Sequence, residues 1–130
     1  MNFHHIGVAT NNIELTTKHY NNFGYKQSTE LFLDPIQNVY ILFLEKPNSP
    51  CIELVAPVNQ DSPILNILNK NGTTPYHFCF EVDDIVKEVD KLKKLKFVMV
   101  SKIVPAVAFN NRLVCFLYNK ESGLIELLNK

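Results

Sequence analysis

The sequence predicts an α+β fold made of two successive modules, each with one strand, one helix and three further strands. The first observation behind this prediction is size and composition: 130 residues, 46% hydrophobic and 20% charged, which is typical of one globular domain. The second is internal repetition, because the chain matches itself at an offset of about 72 residues. The third is that apolar alternation and helical spacing follow each other in the same order in both halves.

The repeat is carried by spacing more than by identity. A histidine opens an apolar run at His5 and again at His77, and an isoleucine follows each histidine eight residues later. His5 precedes Glu53 by 48 residues, and His77 precedes Glu126 by 49 residues. The matched segments are HIGVATNNI (5–13) with HFCFEVDDI (77–85), ILFLEK (41–46) with VCFLYNK (114–120), and CIELV (51–55) with LIELL (124–128).

In the first module, the apolar run HHIGVA predicts a strand, and Thr10 and Asn11 after it are typical helix N-caps. A helix is predicted over 12–23, and Gly24 suits its end. Strands are predicted at about 25–32, 38–45 and 51–56, where apolar residues are frequent.

In the second module, YHFCFEV predicts a strand, and Asp83 and Asp84 are predicted to cap a helix. Apolar residues recur at helical spacing from Ile85 to Leu95. Strands are predicted at about 97–104, 112–118 and 123–128. The chain is interpreted as a single domain, with module 1 at about 3–58, a linker with a short helix at 59–74, and module 2 at about 75–129.

Each repeated glutamate lies in a strand that is apolar on both faces, since neighbouring side chains alternate along a strand. A buried carboxylate or imidazole needs a partner, because burial of an isolated charge is very costly. Taken singly, each of these residues is more simply explained as a satisfied polar residue in the core. Their matched repetition instead predicts a divalent metal site between the halves, with His5, Glu53, His77 and Glu126 as ligands.

Several classes of function are excluded at this stage. Lys plus Arg and Asp plus Glu both number 13, so the chain lacks the basic surplus of a nucleic-acid-binding protein. No apolar run approaches the roughly 20 residues of a membrane-spanning helix, and the N-terminus does not read as an export signal. The three cysteines have no paired spacing, so we expect reduced thiols in a cytoplasmic protein.

The segments HHIGVA, IELVAP, YHFCFEVDDI and GLIELL together resemble the vicinal oxygen chelate superfamily, which includes glyoxalase I and methylmalonyl-CoA epimerase. The resemblance covers about residues 3–128. It implies the glyoxalase/bleomycin resistance fold, in which two βαβββ modules form a curved sheet cleft around a divalent metal ion such as Ni, Co, Mn or Zn. It also implies a homodimer, and it places the metal ligands at the four residues named above.

The chemistry implied by the resemblance is removal of a proton α to a carbonyl, with Glu126 as the base. We expect a glyoxalase I-like enzyme (lactoylglutathione lyase) acting on a hemithioacetal, with an epimerase of acyl-CoA substrates, of the methylmalonyl-CoA type, as the alternative. The preference rests on a closer local resemblance to the glyoxalase form and on Tyr40, which stands where some epimerases of the superfamily have a second glutamate. A packed strand aromatic is the other interpretation of Tyr40. Arg112 is the only arginine and a candidate anchor for a substrate carboxylate or phosphate, although a surface role is the more common case.

Other members of the superfamily offer further alternatives. A metal-free ligand-binding protein of the bleomycin-resistance kind belongs to a different functional class, but such proteins typically lack the four ligands. A thiol transferase of the fosfomycin-resistance kind normally uses three protein ligands. A ring-cleaving dioxygenase normally has two histidines, one glutamate and a longer chain. The four-ligand pattern therefore favours the proton-transfer enzymes.

Overall fold

The computed structural model describes residues 1–130 and contains ten strands, three α-helices and one short 3₁₀ helix. The first half contains β1 (Asn2–Ala9), α1 (Ile13–Asn22), β2 (Lys26–Gln27), β3 (Phe32–Asp34), β4 (Val39–Glu45), β5 (Cys51–Pro57) and α2 (Leu65–Asn71). The second half contains β6 (Thr74–Val82), α3 (Ile85–Lys94), β7 (Val98–Met99), β8 (Val104–Ala106), the 3₁₀ helix Val107–Phe109, β9 (Arg112–Asn119) and β10 (Gly123–Asn129).

The chain divides into two compact units, and the first comprises His5–Tyr76. In its sheet, β1 runs parallel to β5, and β4 runs antiparallel to β5 on the other side. The short strands β2 and β3 both pair with β4. One face of the sheet packs on α1, and this buried core is formed by Val8, Leu42, Leu44, Ile52 and Leu54, with Ile13 and Tyr20 of the helix against it.

The second unit comprises Met1–His4 and His77–Lys130, and its strands repeat the topology of the first. β6 runs parallel to β10, β9 runs antiparallel to β10, and β7 and β8 both pair with β9. The helix α3 covers one face of this sheet. The core on that face consists of Val82, Ile85, Val89, Leu92, Cys115, Leu117, Ile125 and Leu127.

The first unit begins at His5 instead of about residue 3 and extends through the predicted linker to Tyr76, and the first four residues belong to the second unit. The ring of Phe3 makes edge contacts with the rings of Phe78 and Phe80, at centroid distances of 5.9 and 5.8 Å. His4 makes a similar contact with Phe109 at 5.6 Å. These aromatic contacts are favourable beyond simple burial, and they tie the first residues to the second unit.

The helix caps agree with the predictions in the second unit but not in the first. Asp84 caps α3 by accepting a hydrogen bond from the backbone N–H of Lys87. The cap of α1 is Asn12, whose Oδ1 accepts from the N–H of Leu15 at 2.9 Å. Thr10 is instead buried, and its hydroxyl accepts from the N–H of Asn12, which stabilises the turn before the helix.

The two strands predicted at about 25–32 and 97–104 are each interrupted in the structure. The first is divided into β2 and β3, and the second into β7 and β8. Both interruptions have the same cause, because a hydroxyl of the edge segment replaces a backbone carbonyl as hydrogen-bond acceptor. Thr29 Oγ1 accepts from the N–H of Phe43 at 3.2 Å, and Ser101 Oγ accepts from the N–H of Phe116 at 2.8 Å.

The three cysteines are free thiols, as the sequence predicts. Burial raises the pKa of Cys51 to about 11, and burial likewise raises the pKa of Cys115 to about 11, so both remain protonated near neutral pH. None of the three α-helices has the length and apolarity needed to cross a bilayer.

Candidate functional site

The first unit brings His5 and Glu53 together on adjacent parallel strands. Nε2 of His5 lies 3.4 Å from Oε1 of Glu53, and both residues are almost fully buried. In the register of β1 and β5, Gly7 is the partner of Glu53, and His5 is the partner of Cys51. The side chain of Glu53 therefore reaches His5 diagonally between the two strands, past Gly7, which has no side chain.

The second unit contains the equivalent pair, His77 and Glu126, on β6 and β10. Nε2 of His77 lies 3.0 Å from Oε2 of Glu126, and their exposed fractions are 3% and 2%. Here Cys79 is the register partner of Glu126, and it is fully buried. The predicted histidine–glutamate association is thus present within each unit, and in both units the two residues lie on adjacent parallel strands.

Each pair lies on the face of its sheet opposite the one that packs on α1 or α3. In β5, Glu53 lies between Ile52 and Leu54, which belong to the core beneath α1. In β10, Glu126 likewise lies between Ile125 and Leu127, which belong to the core beneath α3. Since neighbouring residues of a strand point to opposite faces, the two carboxylates point away from these cores.

A phenylalanine accompanies each pair, and neither phenylalanine is among the site residues predicted from the sequence. The ring of Phe43 stands at 81° to the imidazole of His5, with the ring centroids 5.6 Å apart. The ring of Phe116 stands at 89° to the imidazole of His77, at 5.1 Å. The sequence carried a signal for them, because the matched segments ILFLEK and VCFLYNK share this phenylalanine.

The donor atoms in each unit fit a divalent metal ion. Two ligand atoms at about 2.1 Å from one ion are separated by about 3.0 Å in octahedral geometry and by about 3.4 Å in tetrahedral geometry. The histidine–glutamate separations of 3.4 and 3.0 Å match these values. Imidazole nitrogen together with carboxylate oxygen is a donor set suited to Zn, Co, Ni and Mn.

The structure does not place Tyr40 beside the pair of the first unit, and its predicted catalytic role stays a prediction. In the pairing of β4 with β5, Tyr40 lies opposite Ala56, whereas Phe43 lies opposite Glu53. Alternation along β4 places Tyr40 on the face of Leu42, which belongs to the core beneath α1. The half-buried phenol is therefore the packed strand aromatic of the alternative interpretation.

Arg112 is engaged within the second unit. Its Nε donates to the backbone carbonyl of Asn129 at 2.7 Å, and its guanidinium also forms an ion pair with Glu81. The hydrogen bond and charge of Arg112 hold the pKa of Glu81 below its usual range. Because Asn129 in turn accepts from the N–H of Ile85 at the start of α3, Arg112 links β9 to that helix. These contacts give Arg112 a structural role, and substrate binding by it stays a prediction.

Residues 4–116 match the Glyoxalase/Bleomycin resistance protein/Dioxygenase superfamily. The mitochondrial methylmalonyl-CoA epimerase of Homo sapiens is 33% identical over 126 residues, which are 95% of this chain and 70% of that protein. The ethylmalonyl-CoA/methylmalonyl-CoA epimerase of Cereibacter sphaeroides is 29% identical over 126 residues, which are 95% of this chain and 93% of that protein. A crystal structure of methylmalonyl-CoA epimerase from Mycobacterium tuberculosis has a TM-score of 0.84 at 22% identity, covering 98% of this chain and 87% of that one.

The chain therefore belongs to the Glyoxalase/Bleomycin resistance protein/Dioxygenase superfamily, as its resemblance to vicinal oxygen chelate proteins predicts. The predicted α+β fold with two βαβββ modules is confirmed by the structure and its neighbour. The prediction of an enzyme of glyoxalase or epimerase type is also confirmed, since the curated relatives are isomerases. Between these two types the relatives favour the epimerase, so the order of preference given by the sequence analysis is reversed.

Proposed function

We propose that this protein is a metal-dependent epimerase that inverts the carbon α to the thioester carbonyl of a small carboxyacyl-CoA such as methylmalonyl-CoA. The observation that carries the proposal is the pair of buried histidine–glutamate contacts, His5–Glu53 and His77–Glu126, at equivalent places in two modules. The substrate class is supported by the names of the relatives, which act on methylmalonyl-CoA or ethylmalonyl-CoA. The two pairs together are proposed to hold one divalent ion.

The proposed ion accounts for the burial of the two carboxylates. Two imidazoles and two carboxylates would supply all the protein ligands of one ion and leave coordination positions open for substrate oxygens. When bound, a divalent ion supplies Lewis-acid stabilisation of the negative charge that develops as the α-proton leaves. Ni, Co, Mn and Zn all suit this donor set, and supply in the cell decides among them.

The proton itself is moved by the chain's own carboxylates. Glu126 is proposed as the base that removes the α-proton, because it is buried and lies against His77. Inversion also requires a group that returns a proton to the opposite side of the carbon. Glu53 is the candidate for this role, because it is the equivalent carboxylate of the other module and Tyr40 lies on the opposite face of its sheet.

Metal content is the first test of the proposal. We expect about one equivalent of divalent metal per chain in the untagged protein, and loss of that metal in a His77→Ala variant. A His19→Ala variant is the matched control, since His19 is an exposed histidine on α1 and should retain the metal. A protein that binds none of the four ions after incubation would contradict the proposal and point to a metal-free ligand-binding protein.

Activity distinguishes the two enzyme types. We expect conversion of one epimer of methylmalonyl-CoA into the other, followed by chiral analysis of the acyl group, and no turnover of methylglyoxal with glutathione. The opposite result would restore the glyoxalase I interpretation while leaving the metal site intact. Metal binding without either reaction would remove both substrates from consideration.

We propose a homodimer, as the family resemblance implies, and light scattering should give about twice the chain mass of 14.9 kDa. The three free thiols suit the reducing cytoplasm that the sequence analysis predicts.

A further inference from the structure

We propose that Phe43 and Phe116 are positioning residues that fix the imidazoles of His5 and His77 for metal binding. Each phenylalanine meets its histidine at close to a right angle, with centroids 5.6 and 5.1 Å apart. This T-shaped arrangement is one of the two favoured geometries for a pair of aromatic rings. The inference rests on the proposed metal site, and it concerns how the protein keeps its ligands in place.

The position of each phenylalanine in the sheet supports this role. Phe43 on β4 is the direct register partner of Glu53, and Phe116 on β9 is the direct register partner of Glu126. In both units the histidine lies on the strand that pairs with the other side of the glutamate strand, which is β1 for Glu53 and β6 for Glu126. Phenylalanine and glutamate are thus directly opposite each other on adjacent strands, and the histidine lies on the third strand, two residues before the glutamate's register partner there. All three side chains lie on one sheet face, and the phenyl ring reaches the imidazole past the carboxylate.

The backbone of each phenylalanine is itself held by the interrupted edge segment. The N–H of Phe43 donates to Thr29 Oγ1, and the N–H of Phe116 donates to Ser101 Oγ. A hydroxyl therefore takes the place of a ladder carbonyl at the same point in both modules. The carbonyls of the two phenylalanines accept from the N–H groups of the preceding residues of those segments, Ser28 at 3.0 Å and Val100 at 2.9 Å.

Each phenyl ring preorganises its histidine for metal binding by restricting the orientation of the imidazole. An imidazole can turn about its bond to Cβ, and each orientation that does not face the metal lowers the affinity of the site. A perpendicular ring packed on one side of the imidazole blocks this rotation and keeps water away from the ligand. The same arrangement occurs in two modules whose residues otherwise largely differ. The phenylalanine is therefore associated with the histidine–glutamate pair and not with the packing of one particular core.

The first experiment examines the metal-free protein, where orientation can be read without any ion. Long-range ¹H–¹⁵N spectra of the imidazoles, recorded at one fixed pH, should show a single set of signals for His77 in the wild type. In Phe116→Leu we expect shifted and multiple or broadened signals for His77, with His5 unchanged. Phe116→Tyr should restore the single set, because it retains the ring. An unchanged His77 spectrum in Phe116→Leu would overturn the inference.

The second experiment measures cobalt binding by calorimetry and by visible absorption. Residues that orient metal-bound histidines typically affect affinity by about 10–100-fold, and we expect roughly a tenfold loss in Phe116→Leu together with an altered Co²⁺ spectrum. Phe116→Tyr should return both towards wild type. The control is Phe80→Leu, since Phe80 packs on the core of the second unit from the other face of β6 and should alter stability without altering the spectrum.

The outcomes separate this inference from the proposed function. If the wild type binds no cobalt, the metal-dependent function fails, while the imidazole spectra still decide whether Phe116 positions His77. If the wild type binds cobalt and Phe116→Leu has the same affinity and spectrum, the function stands and the positioning role is wrong. If Phe80→Leu weakens binding as much as Phe116→Leu, the effect is general loss of packing and the inference is also wrong.

Discussion

Gly7 and Cys79 occupy equivalent positions in the two modules, and each is the register partner of a buried glutamate. Gly7 lies beside Glu53, and Cys79 lies beside Glu126. Glu53 therefore has no side chain opposite it on β1, whereas Glu126 has a buried thiol opposite it on β6. The repeat gives two carboxylates with the same backbone placement and different surroundings, which suits two carboxylates with different tasks in one reaction.

Substituting the two glutamates separately tests this division of labour. Glu126→Gln and Glu53→Gln each retain an oxygen ligand, so we expect the metal to stay bound while epimerisation falls by about 10²–10⁴-fold, the usual contribution of one acid or base. In D₂O the remaining carboxylate should still exchange the α-hydrogen of one epimer, and the two variants should favour opposite epimers. Near-normal epimerisation in either variant, with metal content verified, would remove that glutamate from proton transfer.

Removing the hydroxyl of Tyr40 should have little effect on turnover. Tyr40 lies on the helix-covered face of β4, whereas Phe43 and Glu53 lie on the other face. We expect Tyr40→Phe to keep kcat and KM within about twofold of the wild type, because a conservative change away from the reacting atoms removes no transition-state contact. A drop of a hundredfold or more would return the phenol to the mechanism.

The fold could be predicted from the sequence because periodicity identifies whole strands and helices, and the repeat shows that they occur in the same order twice. Alternation within CIELV and LIELL was enough to place Glu53 and Glu126 away from the helix-packed cores. The face of Tyr40 is harder to predict from sequence, because a shift of one residue in aligning a strand moves a side chain to the other face. The phenylalanines beside the histidines were missed because their role depends on cross-strand register, which spacing along the chain does not encode.

The interrupted edge strands show a second limit of sequence analysis. Thr29 and Ser101 carry ordinary strand-compatible side chains, and only the pairing with β4 and β9 reveals that their hydroxyls accept backbone hydrogen bonds. When a Ser or Thr hydroxyl accepts from an N–H of the paired strand in place of a ladder carbonyl, the edge strand is divided without any glycine or proline to mark the break.

The ion pair of Arg112 and Glu81 should make stability depend on acidity. Arg112 lowers the pKa of Glu81 in the folded state, so the stabilisation is fully present above the unfolded value of about 4.3 and is lost as pH falls through the lower folded value. We expect Glu81→Gln to reduce the free energy of unfolding by about 1 kcal/mol near neutral pH, and the difference from wild type to shrink in acid. Denaturant unfolding across pH measures it; a difference that grows in acid would contradict the assignment.

Glu121→Gln is the matched control for that measurement. Glu121 also lies near a cation, Lys120, but both side chains are largely exposed and the charged atoms are 3.8 Å apart. Such pairs contribute little, and the substitution should leave the free energy of unfolding near neutral pH unchanged. An equal loss in both variants would show that the Glu81 effect comes from overall charge and not from its contact with Arg112.

Adjacent aspartates at the start of α3 allow a test of helix capping with a built-in control. Asp84 accepts a hydrogen bond from the N–H of Lys87 at 3.1 Å, while Asp83 forms an exposed ion pair with Lys130. Replacing an N-cap aspartate by alanine typically costs about 1 kcal/mol, because a backbone N–H of the first turn loses its acceptor. We expect this loss for Asp84→Ala and little change for Asp83→Ala in chemical denaturation. Asp84→Asn should retain most of the stability, since an amide oxygen also caps; equal destabilisation by all three substitutions would mean that charge near the helix start, and not the cap hydrogen bond, stabilises α3.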